Sequence, residues 1–462
     1  MKRIFIICIL PILSLGLLGA APSSDEVKST IRKAAEYYTG TIAVNGGYVY
    51  YYSPDLSRRL GEGVATATEI WVQPPGTPTV GMAFLAAYEA TGDSALLDAA
   101  KAAGTALVYG QLKSGGWQNS VDFNPGGPRV QQYRNGKGGG KNNSTLDDDI
   151  TQSALKFLIR LDRALDFKDR EISESAKVAL DALLNAQFSI GAFPQVWVGP
   201  VMDHPSKESN YPEYDWRTEG RIKEYWNMYT LNDGMAGSVT ETLFEAAKTY
   251  DRNDVKDAIR SFGDFLILAQ MPDPQRGWAQ QYNYEMQPIW ARKFEPPAVA
   301  GRESEDVMMA LLEIAKFTGD KKYLEPIVPG VKYLESSLMP DGRLARYYEL
   351  KNNKPLYMER KGDVYSLTND DSNLPKHYGW KNPNRLDLIK DAYRSGGTVD
   401  QTVKDRTPEE IVKSLDDQGR WITKFSGEAL VGQPKFKDGE EYISSKVFSE
   451  NLEILSRFLK SK

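Results

Sequence analysis

Cysteine and histidine are scarce in this sequence of 462 residues, which contains one cysteine and two histidines. Cys8 lies in an apolar amino-terminal run, so the rest of the chain has no thiol for a disulfide, a nucleophile or a metal site. His204 and His377 are too few for a histidine-rich zinc site. The sequence also lacks a Gly-x-Ser-x-Gly elbow, a Gly-x-Gly-x-x-Gly fingerprint and a P-loop. Carboxylates, arginines, lysines and aromatic side chains remain as candidates for chemistry.

The first 21 residues have the order of charged, apolar and small residues that is typical of a secretory signal peptide. Lys2 and Arg3 precede an apolar run that ends at Ala20 and Ala21. The run contains a proline and no basic stop-transfer flank follows it, so a retained membrane anchor is the weaker interpretation. We therefore expect a secreted or periplasmic protein, without membrane attachment after cleavage, that forms one domain over residues 22–462.

Acidic residues outnumber basic ones, 62 to 57, and give a net charge of −5. Cleavage of the predicted signal peptide would remove two positive charges and no negative ones. An acidic exported protein is a poor match for nucleic acid, so we predict no nucleic-acid partner. If the ligand is a polyanion, the chain must supply a local basic patch or a bridging cation.

Four stretches share one pattern: a helical segment, a short break, a second helical segment and a turn with glycine or an aromatic residue. They span residues 77–117, 149–195, 232–281 and 303–349. Apolar residues within them recur at helical spacing, and no stretch shows sustained strand alternation. Repeated helical hairpins build either an open solenoid or a closed ring. We predict an all-α fold.

The segments between the hairpins are long, and this favours the closed ring. They cover residues 118–146, 194–231, 279–302 and 342–404. Loops of this length in a compact domain are usually functional. We therefore expect an α/α toroid, or barrel, of helical hairpins whose long loops form a cleft at one end. The basic, glycine-rich segment 126–143 is either a mobile loop or a lid over an anionic ligand.

Three consecutive carboxylates, Asp147, Asp148 and Asp149, precede the helix of the second repeat. One of them would suffice to cap the helix, whereas three repel one another unless a cation is close. Clustered oxygen ligands suit a hard cation such as Ca²⁺, although the spacing excludes an EF-hand. The third repeat begins in the same way, with Asn232 and Asp233. In a ring, the two repeat starts would face one site.

Cations and aromatic residues occur together on the later loops. Arg292 and Lys293 lie between Trp290 and Phe294, and Arg346 precedes two tyrosines. The simpler interpretation is that these arginines pair with Glu295 or Glu349 and only staple the loops. Likewise, Trp290, Tyr282 and Tyr284 are either core residues or platforms on which a sugar stacks.

The sequence from about Gly116 to Leu350 resembles the family 10 polysaccharide lyases, which are pectate (pectic acid) lyases. Residues 191–195 (GAFPQ) are similar to the family's Gly-Gly-Trp-Pro-Gln turn, and residues 145–151 (TLDDDIT) to its Thr-Ile-Asp-Asn-Asp-Ala-Thr stretch. Three further matches are residues 228–235, residues 290–295 followed by 301–304, and residues 345–349. This chain departs from the family at Asp148, where the family has asparagine, and at Phe294, where it has tyrosine.

The resemblance implies an α/α barrel that cleaves polygalacturonate by calcium-assisted β-elimination at C5 and C4 of the uronate. It implies that Asp147, Asp148 and Asp233 hold Ca²⁺, that Arg292 is the base and that Arg346 binds a substrate carboxylate. Arginine is an awkward base because it stays protonated in proteins, so Lys293 is a second candidate.

We also expect substrate contacts from Lys293, Trp290, Tyr282 and Arg302, and a monomeric protein. Two other functions are compatible with the same residues. The first is an inverting glycoside hydrolase on an α/α toroid, in which Asp147 or Asp148 and Asp233 act as acid and base across a water. The second is a non-catalytic protein that binds a uronan through the basic segment 126–143 and the tyrosines.

Overall fold

The computed structural model describes residues 21–217, 222–376, 378–399 and 406–462. The predicted signal peptide, up to residue 20, and His377 therefore lie outside the described residues. Within the described part, twelve α-helices are present: α1 (Ser24–Tyr37), α2 (Thr77–Thr91), α3 (Ser94–Gly110), α4 (Ile150–Ala164), α5 (Arg170–Asn185), α6 (Met235–Tyr250), α7 (Asn253–Leu268), α8 (Gly301–Thr318), α9 (Ile327–Ser336), α10 (Leu386–Ser395), α11 (Pro408–Ser414) and α12 (Ser445–Lys460). The prediction of repeated helical hairpins is confirmed by the pairs α2–α3, α4–α5, α6–α7 and α8–α9. None of the described helices is long and apolar enough to cross a membrane.

The break inside the first and fourth hairpins follows from a Gly-Asp pair. Gly92 ends α2, and Gly319 ends α8, each in the left-handed conformation with φ of 72°. A side chain at that φ would be strained, so glycine terminates the helix there. Asp93 then accepts a hydrogen bond from the first turn of α3, and Asp320 does the same for the short 3-10 turn before α9.

The first helix of each hairpin contacts the first helix of the next. Helices α2, α4, α6 and α8 pack against one another in chain order, and α12 packs along α2. The second helices α3, α5 and α7 each pack on their own partner. Their interfaces belong to one apolar core that contains the fully buried indoles of Trp71, Trp117 and Trp278.

Seventeen short strands are also present in the described residues, which the all-α prediction did not include. They are β1 (Tyr51–Tyr52), β2 (Arg59–Leu60), β3 (Glu69–Trp71), β4 (Ser120–Asp122), β5 (Ser144–Thr145), β6 (Val196–Trp197), β7 (Tyr229–Thr230), β8 (Trp278–Ala279), β9 (Gln281–Tyr282), β10 (Val299–Ala300), β11 (Arg343–Ala345), β12 (Tyr347–Tyr348), β13 (Pro355–Lys361), β14 (Val364–Thr368), β15 (Lys381–Pro383), β16 (Ile422–Lys424) and β17 (Glu441–Ser444). The longest pair, β13 and β14, forms a hairpin beyond the last predicted repeat.

Most of these strands serve one recurring purpose. In each hairpin repeat, the segment before the first helix pairs with the segment after the second helix. The antiparallel pairs are β3–β4, β5–β6, β7–β9 and β10–β12. The pairing ties the long loops to the starts of α2, α4, α6 and α8. Side chains that precede these helices are therefore held beside the loops.

Candidate active site

Three aspartates from two repeat starts meet at one point. Asp147 and Asp148 lie just before α4, and Asp233 lies just before α6. Each carboxylate offers an oxygen within 4.8 Å of the others. Asp149, the third aspartate of the sequence run, is not part of this group. The carboxylate cluster, defined by Asp147, Asp148 and Asp233, is thus assembled by two repeats.

An amide side chain donates a hydrogen bond to each carboxylate of the cluster. Gln195 Nε2 lies 2.8 Å from Oδ1 of Asp147, Gln73 Nε2 lies 3.1 Å from Oδ2 of Asp148, and Asn232 Nδ2 lies 3.0 Å from Oδ2 of Asp233. A neutral amide orients a carboxylate without neutralising it. The negative charge and most of the oxygen lone pairs therefore remain available to a cation.

The backbone of the cluster is held in an uncommon conformation. Asp148 has φ of 47° and Asp233 has φ of 50°, both in the left-handed region. Residues other than glycine rarely adopt this region, although aspartate tolerates it better than most. Such local strain is concentrated at functional sites, where the surrounding structure enforces it.

Two carboxylates of the cluster, those of Asp147 and Asp148, are harder to ionise than ordinary aspartates. Burial, followed by the charge of Asp233, raises the pKa of Asp147 to about 6. The Asp148 side chain is exposed, yet the neighbouring protein atoms still desolvate its carboxylate. The charges of Asp147 and Asp233 add to this effect. Together they raise the pKa of Asp148 to about 7. Crowded like charges of this kind are relieved by a bound cation.

Two guanidinium groups flank Asp233. Arg292 Nη2 lies 3.7 Å from its Oδ2, and Arg346 Nη2 lies 3.4 Å from its Oδ1. The structure therefore places the predicted base and the predicted carboxylate-binding arginine beside the same predicted metal ligand. Acidic and basic groups share one site, as catalysis on an anionic substrate requires.

Arg292 is paired with Glu295, as the simpler interpretation of the sequence proposed. Its Nε donates to Oε1 of Glu295 over 2.8 Å, and its backbone N–H donates to Oε2 over 2.9 Å. Burial alone would lower the pKa of Arg292, but the hydrogen bond and charge of Glu295 outweigh burial and raise this pKa above its usual value. Tyr378 donates to the same Oε1 over 3.2 Å. In this state Arg292 is a firmly protonated cation.

Arg346 is buried and paired with a different carboxylate. Its Nη2 lies 2.9 Å from Oε1 of Glu303, a fully buried residue in the first turn of α8. The ring of Tyr378 lies 4.9 Å from the guanidinium carbon. Burial lowers the pKa of Arg346, but the charge of Glu303 outweighs this and holds the pKa well above the usual range. Arg346 is therefore a rigid, permanent cation.

Four further residues that the sequence assigned to substrate are placed as follows. Lys293 is exposed next to Arg292. Trp290 is 7% exposed, and its Nε1 donates to the backbone oxygen of Trp216. Arg302 is exposed at the start of α8 and approaches Asp306 at 3.8 Å.

The assignment of Tyr282 to a sugar platform is wrong for this structure. Its ring is fully buried, and its hydroxyl donates to the backbone oxygen of Ala269 over 2.7 Å. The hydroxyl also accepts the N–H of Ala279 over 2.6 Å. Tyr282 packs the β7–β9 pair onto the helices because its side chain points to the core face of its strand.

The basic segment 126–143 is anchored to the protein. Tyr133 is fully buried, Arg134 pairs with Glu174 on α5 at 2.7 Å, and the Lys137 ammonium lies 5.3 Å from the ring centre of Tyr109 on α3. These cations contact the second helices of the first two hairpins. The described contacts give no support to the interpretation of this segment as a lid.

Sequence reasoning missed several residues of the site. Gln195 belongs to a quoted motif, GAFPQ, but its amide was assigned no role. Glu303 also lies in a quoted motif. Gln73 precedes the resembling region, and Tyr378 follows it, so no local pattern identified either residue. Both reach the site only through the tertiary fold.

The region that contains these residues is similar to a known protein family. The family model for pectic acid lyase matches residues 111–343. The matched region contains the whole carboxylate cluster and Arg292, and ends just before Arg346. No curated protein matches the chain.

Several solved structures are similar to the chain, and three of them illustrate the range. A mutant family 10 polysaccharide lyase from Cellvibrio cellulosa, in complex with a trigalacturonic acid, is 20% identical, with a TM-score of 0.48 over 69% of this chain and 98% of that one. A second structure of the Cellvibrio enzyme is 19% identical, with a TM-score of 0.44 over 67% and 94%. Cellobiose 2-epimerase from Bacillus thermoamylovorans is 14% identical, with a TM-score of 0.49 over 95% and 100%. With the family model matching half of its length, this chain belongs to the pectic acid lyase family.

Proposed function

We propose that this protein is a secreted, monomeric pectate lyase that cleaves polygalacturonate by calcium-assisted β-elimination. One observation carries the proposal: in a chain of the pectic acid lyase family, three carboxylates converge on a point that two arginines flank. We further propose that the row of first helices closes into an α/α toroid, with the cluster in the cleft at its loop end.

The carboxylate cluster fits Ca²⁺ by its chemistry. Its donors are hard oxygen atoms. Desolvation, followed by repulsion between neighbouring carboxylates, raises the pKa values of Asp147 and Asp148, and a divalent cation would relieve that repulsion. When bound, Ca²⁺ would withdraw negative charge from the uronate carboxylate and so make the C5 proton more acidic. Asp148, where the family has asparagine, gives this site one more negative charge.

Arg346 is suited to binding a uronate carboxylate. It is permanently charged, and Glu303 and the ring of Tyr378 hold it in place. A guanidinium held rigidly beside the carboxylate cluster would position the substrate through a charge-assisted hydrogen bond.

Arg292 remains our first candidate for the base that removes the C5 proton, and its pairing with Glu295 defines what that role requires. The guanidinium must be neutral to accept a proton, and Glu295 stabilises the charged form. The elimination should therefore be favoured by alkaline pH. Lys293, the adjacent exposed residue, is the second candidate.

The cluster geometry disfavours the inverting hydrolase. An inverting pair of carboxyl groups is separated by roughly 6.5–9.5 Å to admit a water. In this structure, oxygens of Asp147, Asp148 and Asp233 lie within 4.8 Å of one another. That spacing suits shared coordination of a cation better than an acid and base on opposite sides of a sugar.

The decisive test uses polygalacturonate and follows the ultraviolet absorbance of a C4=C5 double bond. We expect absorbance to rise with the wild-type protein, to stop after addition of a chelator and to resume when excess Ca²⁺ is restored. Depolymerisation without any rise in absorbance would reject the lyase. A rise that the chelator leaves unchanged would reject the role of Ca²⁺.

A further inference from the structure

A cavity of about 450 Å³ is lined by Lys293, the neighbour of Arg292, and neither the carboxylate cluster nor Arg346 contributes to it. Three segments line it: Arg217, the pair Trp290 and Lys293, and the β13–β14 hairpin. A volume of this size falls within the range of roughly 300–1,000 Å³ that is typical of small-molecule sites. The cavity is therefore large enough for a sugar ring.

The loop that carries Arg292 also lines the cavity. Lys293 follows Arg292 directly, and the ring of Phe294 lies 5.2 Å from the Arg292 guanidinium carbon. Phe294 also packs against Tyr365 of β14, with ring centres 5.6 Å apart. The hairpin that lines the cavity therefore also contacts the loop that holds Arg292.

The lining combines positive charge with apolar surface. Lys293 is exposed, and no carboxylate among the described residues forms an ion pair with it. Arg217 pairs with the buried Glu349, and its guanidinium carbon lies 5.1 Å from the ring centre of Trp216. Together the two residues bring a lysine ammonium and a positioned guanidinium to one cavity.

The hairpin contributes apolar side chains to the cavity. Met358 pairs with Leu367, and Tyr365 lies two residues before Leu367, so these three side chains share one face of the hairpin. Trp290 contributes further apolar surface. A pyranose ring has apolar faces of C–H groups and an edge that carries polar substituents. A hexuronate matches a cavity that combines apolar side chains with two cations.

The hairpin lies outside the part of the chain that matches the family. The matched region ends at residue 343, whereas β13 begins at Pro355. The cavity therefore combines a loop from the family region with a wall that the family model does not describe. A feature of this kind is positioned to set the preference of this chain for substrates of a given length.

We propose that the cavity is a binding subsite for a further hexuronate unit of the same acidic chain, one that only longer oligomers reach. This inference rests on the proposed function for the identity of the polymer. Lys293 and Arg217 contact the carboxylate of that unit, and the apolar side chains contact its ring. The protein should therefore discriminate between short and long oligogalacturonates.

The test compares trigalacturonate with hexagalacturonate for the wild type and three variants. Leu367→Trp enlarges a half-buried side chain on the cavity face of the hairpin, and Arg217→Gln removes one of the cations. Lys361→Gln is the matched control, because it removes a cation from the same hairpin but outside the cavity. The readout is the ratio of kcat/KM for the hexamer to that for the trimer.

We expect the wild type to prefer the hexamer by about tenfold or more, which corresponds to about 1.4 kcal/mol. Leu367→Trp and Arg217→Gln should reduce this ratio by severalfold, mainly through KM for the hexamer, and Lys361→Gln should not. Equal ratios in the wild type and Leu367→Trp would overturn the subsite. Leu367→Trp also keeps the test valid if Arg217→Gln fails to fold because Glu349 loses its partner.

Calorimetric titration with the same two oligomers separates this inference from the proposed reaction. If the wild type forms no unsaturated product, the proposed function fails, but the two binding constants can still be measured. Tighter binding of the hexamer that Leu367→Trp abolishes would support the subsite in that case as well. Unsaturated product with identical affinities for both oligomers would reject the subsite and leave the lyase intact.

Discussion

Arg292 and Glu295 form a two-point contact in which a buried carboxylate accepts from both the side chain and the backbone N–H of the arginine. The contact fixes the guanidinium 3.7 Å from Asp233. It also stabilises the protonated form, which opposes the role of a base. The rate of the proposed reaction should therefore depend mainly on the protonation state of Arg292.

Removal of the Glu295 charge should shift the pH dependence of the elimination. Glu295→Gln keeps a side chain of similar shape but no longer stabilises the guanidinium, so the pKa of Arg292 should fall. If Arg292 is the base, the rising limb of the kcat profile should move to lower pH. The measurement is kcat against pH at saturating polygalacturonate. A profile that keeps its position would point to Lys293 as the base.

Replacement of the proposed base should affect the chemical step. We expect Arg292→Lys to reduce kcat by about 10²–10⁴-fold or more, which is the factor that a general base typically contributes. The reason is that an ammonium does not reproduce the position or the fork of the guanidinium. KM should change much less, as for a group that acts mainly in the transition state. Normal turnover in this variant would refute the assignment.

Arg346 and Arg385 offer a matched comparison, because each pairs with a glutamate of α8. Arg346 pairs with Glu303, and Arg385 pairs with Glu305 at 3.1 Å, two residues further along α8. Arg346→Lys should raise KM for polygalacturonate by about tenfold, because the fork that recognises a carboxylate is lost. Arg385→Lys should leave KM unchanged, since we assign that pair a purely structural role. Equal effects on KM would show that Arg346 acts only through folding.

Asp233 should govern the need for calcium. Asp233→Asn retains a residue that tolerates positive φ but removes the charge, so we expect activity to fall by about 100-fold or more and to be partly restored by excess Ca²⁺. Asp251→Asn is the matched control, because Asp251 also has a left-handed backbone, with φ of 48°, and pairs with Lys256 away from the cluster. Calcium affinity is measured by titration calorimetry. An unchanged affinity in Asp233→Asn would remove this residue from the site.

The carboxylate cluster should also make stability depend on pH. The folded pKa values of Asp147 and Asp148, about 6 and about 7, lie above those of an unfolded chain. The folded state therefore binds more protons between about pH 4 and 7, and the stability of the metal-free protein falls as pH rises through this window. Ca²⁺ should raise Tm more at pH 8 than at pH 5.5, because protons compete for the ligands. Thermal unfolding with and without Ca²⁺ measures this difference.

The control for this pH effect is the double variant Asp147→Asn, Asp148→Asn. It should lose the stabilisation by Ca²⁺ and the part of the pH dependence that the cluster causes. A double variant with the same difference in Tm between the two pH values as the wild type would show that other groups cause the effect.

Local patterns predicted the parts of the structure that local physics determines. Helical spacing and the Gly-Asp breaks located the hairpins, and the similar starts of two repeats brought Asp147 and Asp233 to one site. Glu295 was also named as a possible partner of Arg292, and it lies three positions further along the chain. These features depend on short distances along the chain.

Contacts between distant segments could not be predicted in the same way. Gln73 reaches Asp148, and Tyr378 reaches Arg346, only after the helices have packed. Tyr282 was misassigned because an aromatic residue next to a loop can face either the core or the solvent. The β13–β14 hairpin had a local signal that was not used, the two-residue turn of Gly362 and Asp363, with Gly362 at φ of 63°.

The mass of the products formed from purified oligogalacturonate tests the central proposal most directly. β-Elimination breaks the glycosidic bond without adding water, so one of the two fragments should be lighter by one water than the corresponding hydrolysis product. We expect the wild type to yield this unsaturated fragment in the presence of Ca²⁺ and to yield no fragments after chelation. Two saturated fragments, with one water added across the bond, would contradict the assignment of this protein as a lyase.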